Sequence, residues 1–274
     1  MRIYSLLILG LLFTVLSCKK VEEEVAEANT VMAVDNNRAE TESQMILSMS
    51  KGGMDRRLSA KTTLDTLAIP PCATETLDTL SNPKRYVIDY GSTNCACWDG
   101  KNRRGRLIST WTGSPHDSLN VITTVADSFY LNNVWYEFTQ EYTNLGLVRF
   151  AVEYHPYFRQ KVTKCIVHAP DGTINWTCDR YIEHSRGYLT PRIFQDDEFI
   201  IRGSSQGTAT KGQSFYAQVL KPLISRYDCR YYQAGSVELK TDGAPTQRIE
   251  YGDGACDDKA DVYQLGKAWP IKLR

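Results

Sequence analysis

From Cys72 onward the chain is divided into short runs rich in tyrosine, tryptophan, valine, isoleucine and threonine, separated by glycine, asparagine, aspartate and proline. Aromatic and β-branched side chains suit a pleated, half-buried surface, and the intervening residues are those that turn a chain back on itself. The spacing predicts about 12–14 short strands, among them 84–90, 105–112, 120–130, 134–144, 147–155, 162–169, 173–182, 198–204 and 213–220. Asn132-Asn133, Asp171-Gly172 and Gly266-Lys267 fit tight hairpins, and Gly203-Ser204-Ser205-Gln206-Gly207 reads as a longer hairpin tip. Val148, Phe150, Val152 and Tyr154 alternate with Arg149, Ala151 and Glu153, the period of a strand buried on one face. The expected fold is all-β, an antiparallel meander folded over as a sandwich or rolled into a barrel-like sheet. A membrane-spanning barrel is disfavoured, because Arg103, Arg104, Arg106, Asp196, Asp197 and Arg202 are scattered where a lipid-facing apolar band would be needed.

The N-terminus has a different character. Arg2 is followed by a nearly unbroken apolar run, Ile3 to Leu16, shorter than the roughly 20 residues that span a bilayer and built like a secretory signal. Val15-Leu16-Ser17-Cys18 resembles the lipobox of bacterial lipoproteins. That resemblance implies cleavage before Cys18, a diacyl anchor on its thiol, and residence at the outer membrane, facing the periplasm or the cell surface. From Lys19 to about Lys61 glutamate is frequent, aromatics are few and neither structural period is sustained, so the segment is expected to be a flexible tether, with brief helical turns at most around Val31–Val34 and Met45–Leu47. The expected organisation is therefore a signal peptide (1–17), a lipidated cysteine with tether (18–61) and an all-β domain (62–274).

One internal repeat is legible. Ile88-Asp89-Tyr90-Gly91 followed after three residues by Cys95 recurs as Ile249-Glu250-Tyr251-Gly252 followed by Cys256, and repeated units commonly sit against one another. Together with the Cys95-x-Cys97 loop, Arg103-Arg104-Gly105, Cys229-Arg230 and Gly252-Asp253-Gly254-Ala255-Cys256, the pattern resembles a group of uncharacterised Bacteroidota lipoproteins. The resemblance implies no activity.

Eight cysteines leave an odd number once Cys18 is acylated, and in an oxidising envelope the rest read first as disulfides. Cys165, Cys178, Cys95 and Cys256 are the candidates. If Asp171-Gly172 form the turn of a two-residue hairpin, Cys165 faces Cys178 at a non-hydrogen-bonded site, close enough to bridge. A register centred on Pro170-Asp171 with Gly172 as a bulge would place Cys165 opposite Thr177 instead. Zinc at Cys95, Cys97 and Cys256 lacks a fourth ligand, and no metal or cofactor is expected.

No catalytic constellation stands out, and the chain is expected not to be an enzyme. Gly203-x-Ser205-x-Gly207 matches a nucleophile-elbow pattern, but that elbow requires a strand turning into a helix, and a second strand is expected there. His116, His155, His168 and His184 lack metal-like spacing. The carboxylate clusters Asp196-Asp197-Glu198 and Asp257-Asp258 lie within single segments, where neighbouring side chains point apart. Calcium at Asp99 and Asp253 lacks the spacing of a known loop. With 32 basic and 32 acidic residues, no basic footprint supports nucleic-acid binding. Trp98, Trp111, Trp135, Tyr136, Trp176, Tyr231, Tyr232 and Trp269 are either sheet packing or a surface for glycan or protein. Thr66, Thr79 and Ser118 lie in Asp-Ser/Thr-Leu triplets resembling the O-glycosylation acceptor pattern of exported Bacteroidota proteins. The functional expectation is a membrane-anchored envelope lipoprotein, structural, adhesive or binding. The alternatives are a carbohydrate-binding module of a glycan-uptake system and a carboxylate-dependent hydrolase. The expected partners are the membrane, through the lipid, and a glycan or envelope protein.

Overall fold

The computed structural model describes residues 4–59, 69–190, 193, 195–227 and 229–273. Among them a helix, α1 (Tyr4–Ser59), precedes β1 (Thr74–Asp78), β2 (Lys84–Asp89), β3 (Cys95–Ala96), β4 (Asn102–Trp111), β5 (Val121–Leu131), β6 (Val134–Phe150) and β7 (Glu153–Ala169). The second half supplies β8 (Gly172–Arg186), β9 (Glu198–Thr208), β10 (Ser214–Arg226), β11 (Ala234–Lys240), β12 (Gln247–Asp253), β13 (Lys259–Gln264) and β14 (Lys267–Lys272). All belong to one antiparallel sheet whose order follows the chain, with β3 paired to β4 beside the main path. The expected meander is thus present as one sheet, and β1 and β14 remain unpaired edges, so it does not close into a barrel.

The sheet curls around the helix. Ala39, Glu40, Thr41, Glu42 and Ser43 are consecutive and all buried, and five successive helical residues point to every side of the axis. Strands β2, β4, β7, β8 and β14 all contact α1. The apolar core combines Ile46 and Met54 of the helix with Tyr86, Ile88, Leu107, Phe129, Phe138, Ile174 and Trp176 of the strands. Each such side chain contributes roughly 1.5–3 kcal/mol through burial. Gly53 lets helix and sheet close up, since a Cβ there would lie 2.2 Å from the Tyr86 hydroxyl.

A flexible tether across 18–61 is therefore not what residues 30–59 form. Their glutamates, asparagine and serine do not remain in water but meet polar groups on the inner face of the sheet. Asn36 Oδ1 accepts from Trp176 Nε1 and from Ser205 Oγ, each at 3.0 Å. Asp35 accepts from the Thr210 amide and hydroxyl, each at 2.8 Å. Arg180 Nε donates to Glu40 Oε1 at 2.9 Å and its Nη2 to Glu40 Oε2. Lys101 Nζ donates to Glu42 at 2.7 Å, and Gln44 Nε2 to Gln160 Oε1 at 2.7 Å.

The turns depart from expectation in instructive ways. Asn132-Asn133 form the β5–β6 turn as expected, both with positive φ. The β13–β14 turn is Leu265-Gly266, since Gln264 faces Lys267. The alternating run at 147–155 is not one strand: it contains the β6–β7 turn at Ala151 and Val152, with Ala151 at φ 51°. That turn places Val148 and Phe150 opposite His155 and Glu153. The Gly203–Gly207 segment is not a hairpin tip either, but lies inside β9 between β8 and β10. Its glycines are there for close approach, because a Cβ on Gly203 would sit 2.2 Å from the Asp179 carbonyl oxygen.

The cysteines pair locally. Cys72–Cys95 and Cys229–Cys256 are disulfides, with Cα separations of 5.6 Å and 5.7 Å. Each closes a hairpin, β1–β2 or β11–β12, and each hairpin ends in the repeated Tyr-Gly with the glycine in the left-handed region. Loops of 23 and 27 residues correspond to stabilisation of about 3 kcal/mol each. The repeated units do not pair with each other: β2 lies between β1 and β4, β12 between β11 and β13.

The Cys165–Cys178 bridge is corrected. The turn is Pro170-Asp171, with Ala169 facing Gly172, Val167 facing Ile174 and Cys165 facing Trp176. This register slips by two residues from the expected one and keeps Val167 and Ile174 on one face. A bulge then sets Val162, not Cys165, opposite Cys178, and both thiols are free and buried.

Candidate functional site

The outer face of the sheet carries a row of side chains that runs across four strands. Arg104 on β4 pairs in register with Tyr130 on β5, Tyr130 with Trp135 on β6, and Trp135 with His168 on β7. A bulge positions the row. Ile122 and Thr124 face inward on β5, but beyond Ser128, at φ 49°, it is Phe129 and Leu131 that are buried, which leaves Tyr130 outward. Gly105 permits the bulge, since a Cβ there would lie 2.0 Å from the Ser128 carbonyl oxygen.

Within the row the groups stack in two pairs. The Arg104 guanidinium lies 3.8 Å from the Tyr130 ring centroid. The Trp135 and His168 rings are nearly parallel, with centroids 4.1 Å apart. Trp135 is 39% exposed. Arg104 Nη1 donates to Asn94 Oδ1 at 3.0 Å and to Asn133 Oδ1 at 2.8 Å. Glu137, also outward on β6, accepts from Lys164 Nζ at 2.6 Å and shares a 2.9 Å hydrogen bond with His168 Nε2. Those bonds, Lys164 first, hold the Glu137 carboxyl below its ordinary range.

A second cluster occupies the other end of the long strands. Glu183, 5% exposed, shares a 2.8 Å hydrogen bond with His155 Nδ1 and accepts from Arg202 Nη1 at 3.1 Å. The Glu183 bond is the main cause that raises the His155 pKa. Phe150 stacks on His155, Tyr188 leans against both His155 and His184, and Tyr157 stacks on Tyr181. His184 contacts Asp197 at 2.9 Å. Both Glu183 oxygens are engaged, so this cluster fastens the β6–β7 hairpin and the β8–β9 loop to the sheet. In the outer row, by contrast, Arg104 has donors that meet no protein acceptor among the described residues.

The remaining expected residues are dispersed. Arg103 points inward and is ion-paired with Asp99 at 2.6 Å, which occupies the carboxylate considered for calcium. Arg106 is paired with Asp127. Trp111, Trp176, Tyr136 and Tyr232 are core, whereas Trp98 is 64% exposed. Asp196 accepts from the Thr190 hydroxyl at 2.6 Å, and Asp257 from the Lys259 amide at 3.1 Å. Ser205, the centre of the elbow-like pattern, is a buried strand residue whose hydroxyl donates to Asn36. Cys97 is half-buried and free. Thr79 and Ser118 are exposed, and Thr66 lies outside the described residues. Cys18 belongs to α1.

A cleft of about 470 Å³ opens where the helix enters the sheet, between Met32, the β11–β12 turn and Trp269. Among the described residues no group of three or more His, Cys, Asp and Glu is placed to hold a metal ion, and no helix is long and apolar enough to cross a membrane. The row across β4–β7 was not singled out from sequence. Its signal was the pair of turns flanking Trp135 and His168, but joining them to Arg104 and Tyr130 needed the register through the bulge. Comparison with protein-family models, curated proteins and solved structures finds no match for this chain.

Proposed function

We propose that the chain is a lipid-anchored envelope protein whose all-β domain binds a partner non-covalently through the outer face of its sheet. The observation that carries this reading is the row Arg104–Tyr130–Trp135–His168, a prearranged surface of aromatic planes ending in a guanidinium. The lipobox-like Val15-Leu16-Ser17-Cys18 supports the anchor. Thr30 follows Cys18 by only 12 positions, a reach of about 18 Å as helix or about 40 Å fully extended. On this reading the domain stands close to the bilayer instead of drifting on a long leash.

Among binding partners a carbohydrate fits the row best. Flat aromatic surface meets the apolar faces of sugar rings, while Asn94, Asn133 and Arg104 offer planar hydrogen-bonding groups. The test is a glycan array probed with the detergent-solubilised full chain and with Trp135→Ala. Signals present for the native chain and lost in the variant support the reading. A blank array, or signals unchanged in the variant, overturns it. Membrane fractionation of Cys18→Ser tests the anchor separately: the variant is expected in the soluble fraction, and its retention with the membrane refutes lipidation at that residue.

A further inference from the structure

We propose that Arg104 forms a subsite for the carboxylate of an acidic sugar, so that the glycan bound by the outer row is uronate-bearing. This rests on the glycan reading and sharpens it.

The argument begins with the donors of Arg104. A guanidinium has five N–H groups in a rigid fork. Here the two hydrogen bonds both leave from Nη1, to Asn94 and Asn133, and both acceptors are neutral amides. The Nε and Nη2 donors lie along one edge of the plane and meet no protein acceptor among the described residues. Among the described residues no carboxylate ion-pairs with Arg104, although Arg103 and Arg106 on the same strand are both neutralised, by Asp99 and by Asp127.

The orientation of the open edge is fixed. Stacking on Tyr130 at 3.8 Å sets the plane of the guanidinium, and the two asparagines set its rotation within that plane. The asparagines are themselves linked, Asn94 Nδ2 donating to Asn133 Oδ1 at 3.0 Å. An arginine held in this way has already lost much of the side-chain freedom that binding would otherwise cost. Its free edge matches the two oxygens of a carboxylate, which it would engage through two parallel charge-assisted bonds. The neighbouring rings favour a sugar over an acidic peptide as the carrier. From Arg104 to His168 the row crosses three strand spacings, about 14 Å in all, room for a short oligosaccharide lying across the strands.

The experiment measures binding of the detergent-solubilised full chain to oligogalacturonate, oligomannuronate and oligoglucuronate. Methyl-esterified and neutral counterparts and polyglutamate serve as comparisons. At least one uronate oligomer is expected to bind, and its methyl ester to bind about ten-fold or more weakly, the loss appropriate to a bidentate charged pair. Arg104→Gln is expected to abolish the preference, so that acid and ester bind with the same affinity. Arg104→Lys, which keeps the charge and loses the fork, should recover only part of the affinity. Near-ultraviolet circular dichroism of each variant establishes that the sheet is intact. Equal binding of acid and ester, or of neutral and acidic oligomers, with loss in Trp135→Ala, overturns the carboxylate subsite and leaves the glycan reading standing. Binding of polyglutamate as tight as that of the uronates assigns the site to acidic peptide and overturns the sugar. No binding of any oligosaccharide overturns both.

Discussion

Glu40 and Arg180 are 140 positions apart and meet at side-chain exposures of 1% and 0%. Tyr232 adds a hydroxyl donor to Glu40 Oε1 at 3.1 Å. Burial alone would lower the arginine's pKa, but the carboxylate opposite raises it above its ordinary value, so the guanidinium keeps its charge inside the sheet. A buried pair of this kind is costly to break and cheap to replace. Glu40→Leu or Arg180→Leu alone leaves an uncompensated charge and is expected to destabilise the fold by about 3–5 kcal/mol, whereas the double variant should recover most of that loss. Urea denaturation of the three variants checks this, and a double variant as unstable as the worse single would refute it. At the same scale the three free thiols among the described residues divide by environment. Burial raises the pKa of Cys165 and pushes that of Cys178 up to about 12, which leaves both protonated at neutral pH.

Among the elements, the β6–β7 hairpin stands out. Beyond Thr143 on β6 and Tyr157 on β7 it has no partner strand in the described register, and Leu147, Val152 and Tyr154 are exposed. Its attachment runs through His155 and Glu183. Because the folded His155 pKa lies above its ordinary 6.5, the stabilisation is complete below that value and is lost as pH rises through the folded pKa. Amides of residues 147–157 should therefore exchange faster at about pH 8.5 than at about pH 5.5, after correction for intrinsic rates, and His155→Gln should remove the difference. Unchanged protection in the native chain would contradict the role given to this pair. The same hairpin marks a boundary of what sequence reveals. The turn at Asn132-Asn133, where two asparagines with positive φ stand between runs, was legible, whereas those at Pro170-Asp171 and Leu265-Gly266 fall one residue before the expected positions. Here Ala151 occupies the left-handed region without being glycine or asparagine, so the turn left no trace and the alternation ran through it. Helix α1 was illegible for another reason. Between Thr30 and Leu47 none of its residues is exposed, so the periodic contrast that identifies a helix is absent there, and its glutamates read as solvated until Arg180 of β8 and Lys101, just before β4, are brought to them. The row at Arg104 was hidden by a bulge, which reverses the inward and outward parity of β5 in mid-strand.

For the whole molecule, the helix is the inner half of the core. A chain lacking residues 30–59 keeps every strand but exposes Trp176, Phe138 and Leu107 together with the now unpaired Arg180 and Lys101. It is expected to lose cooperative thermal unfolding and near-ultraviolet dichroism, and a peptide of residues 30–59 added in trans is expected to restore them. A truncated chain that melts as sharply as the native one would show the sheet to be self-sufficient. The enclosure also decides how the domain bears load. If Cys18 carries the proposed anchor, a pull arriving from it does not reach an edge strand, where hydrogen bonds could be unzipped one at a time. It arrives along the axis of α1 and must shear the contacts of Asp35, Asn36, Glu40 and Glu42 together, so a domain moored in this way resists drag as a bolt does in its sleeve.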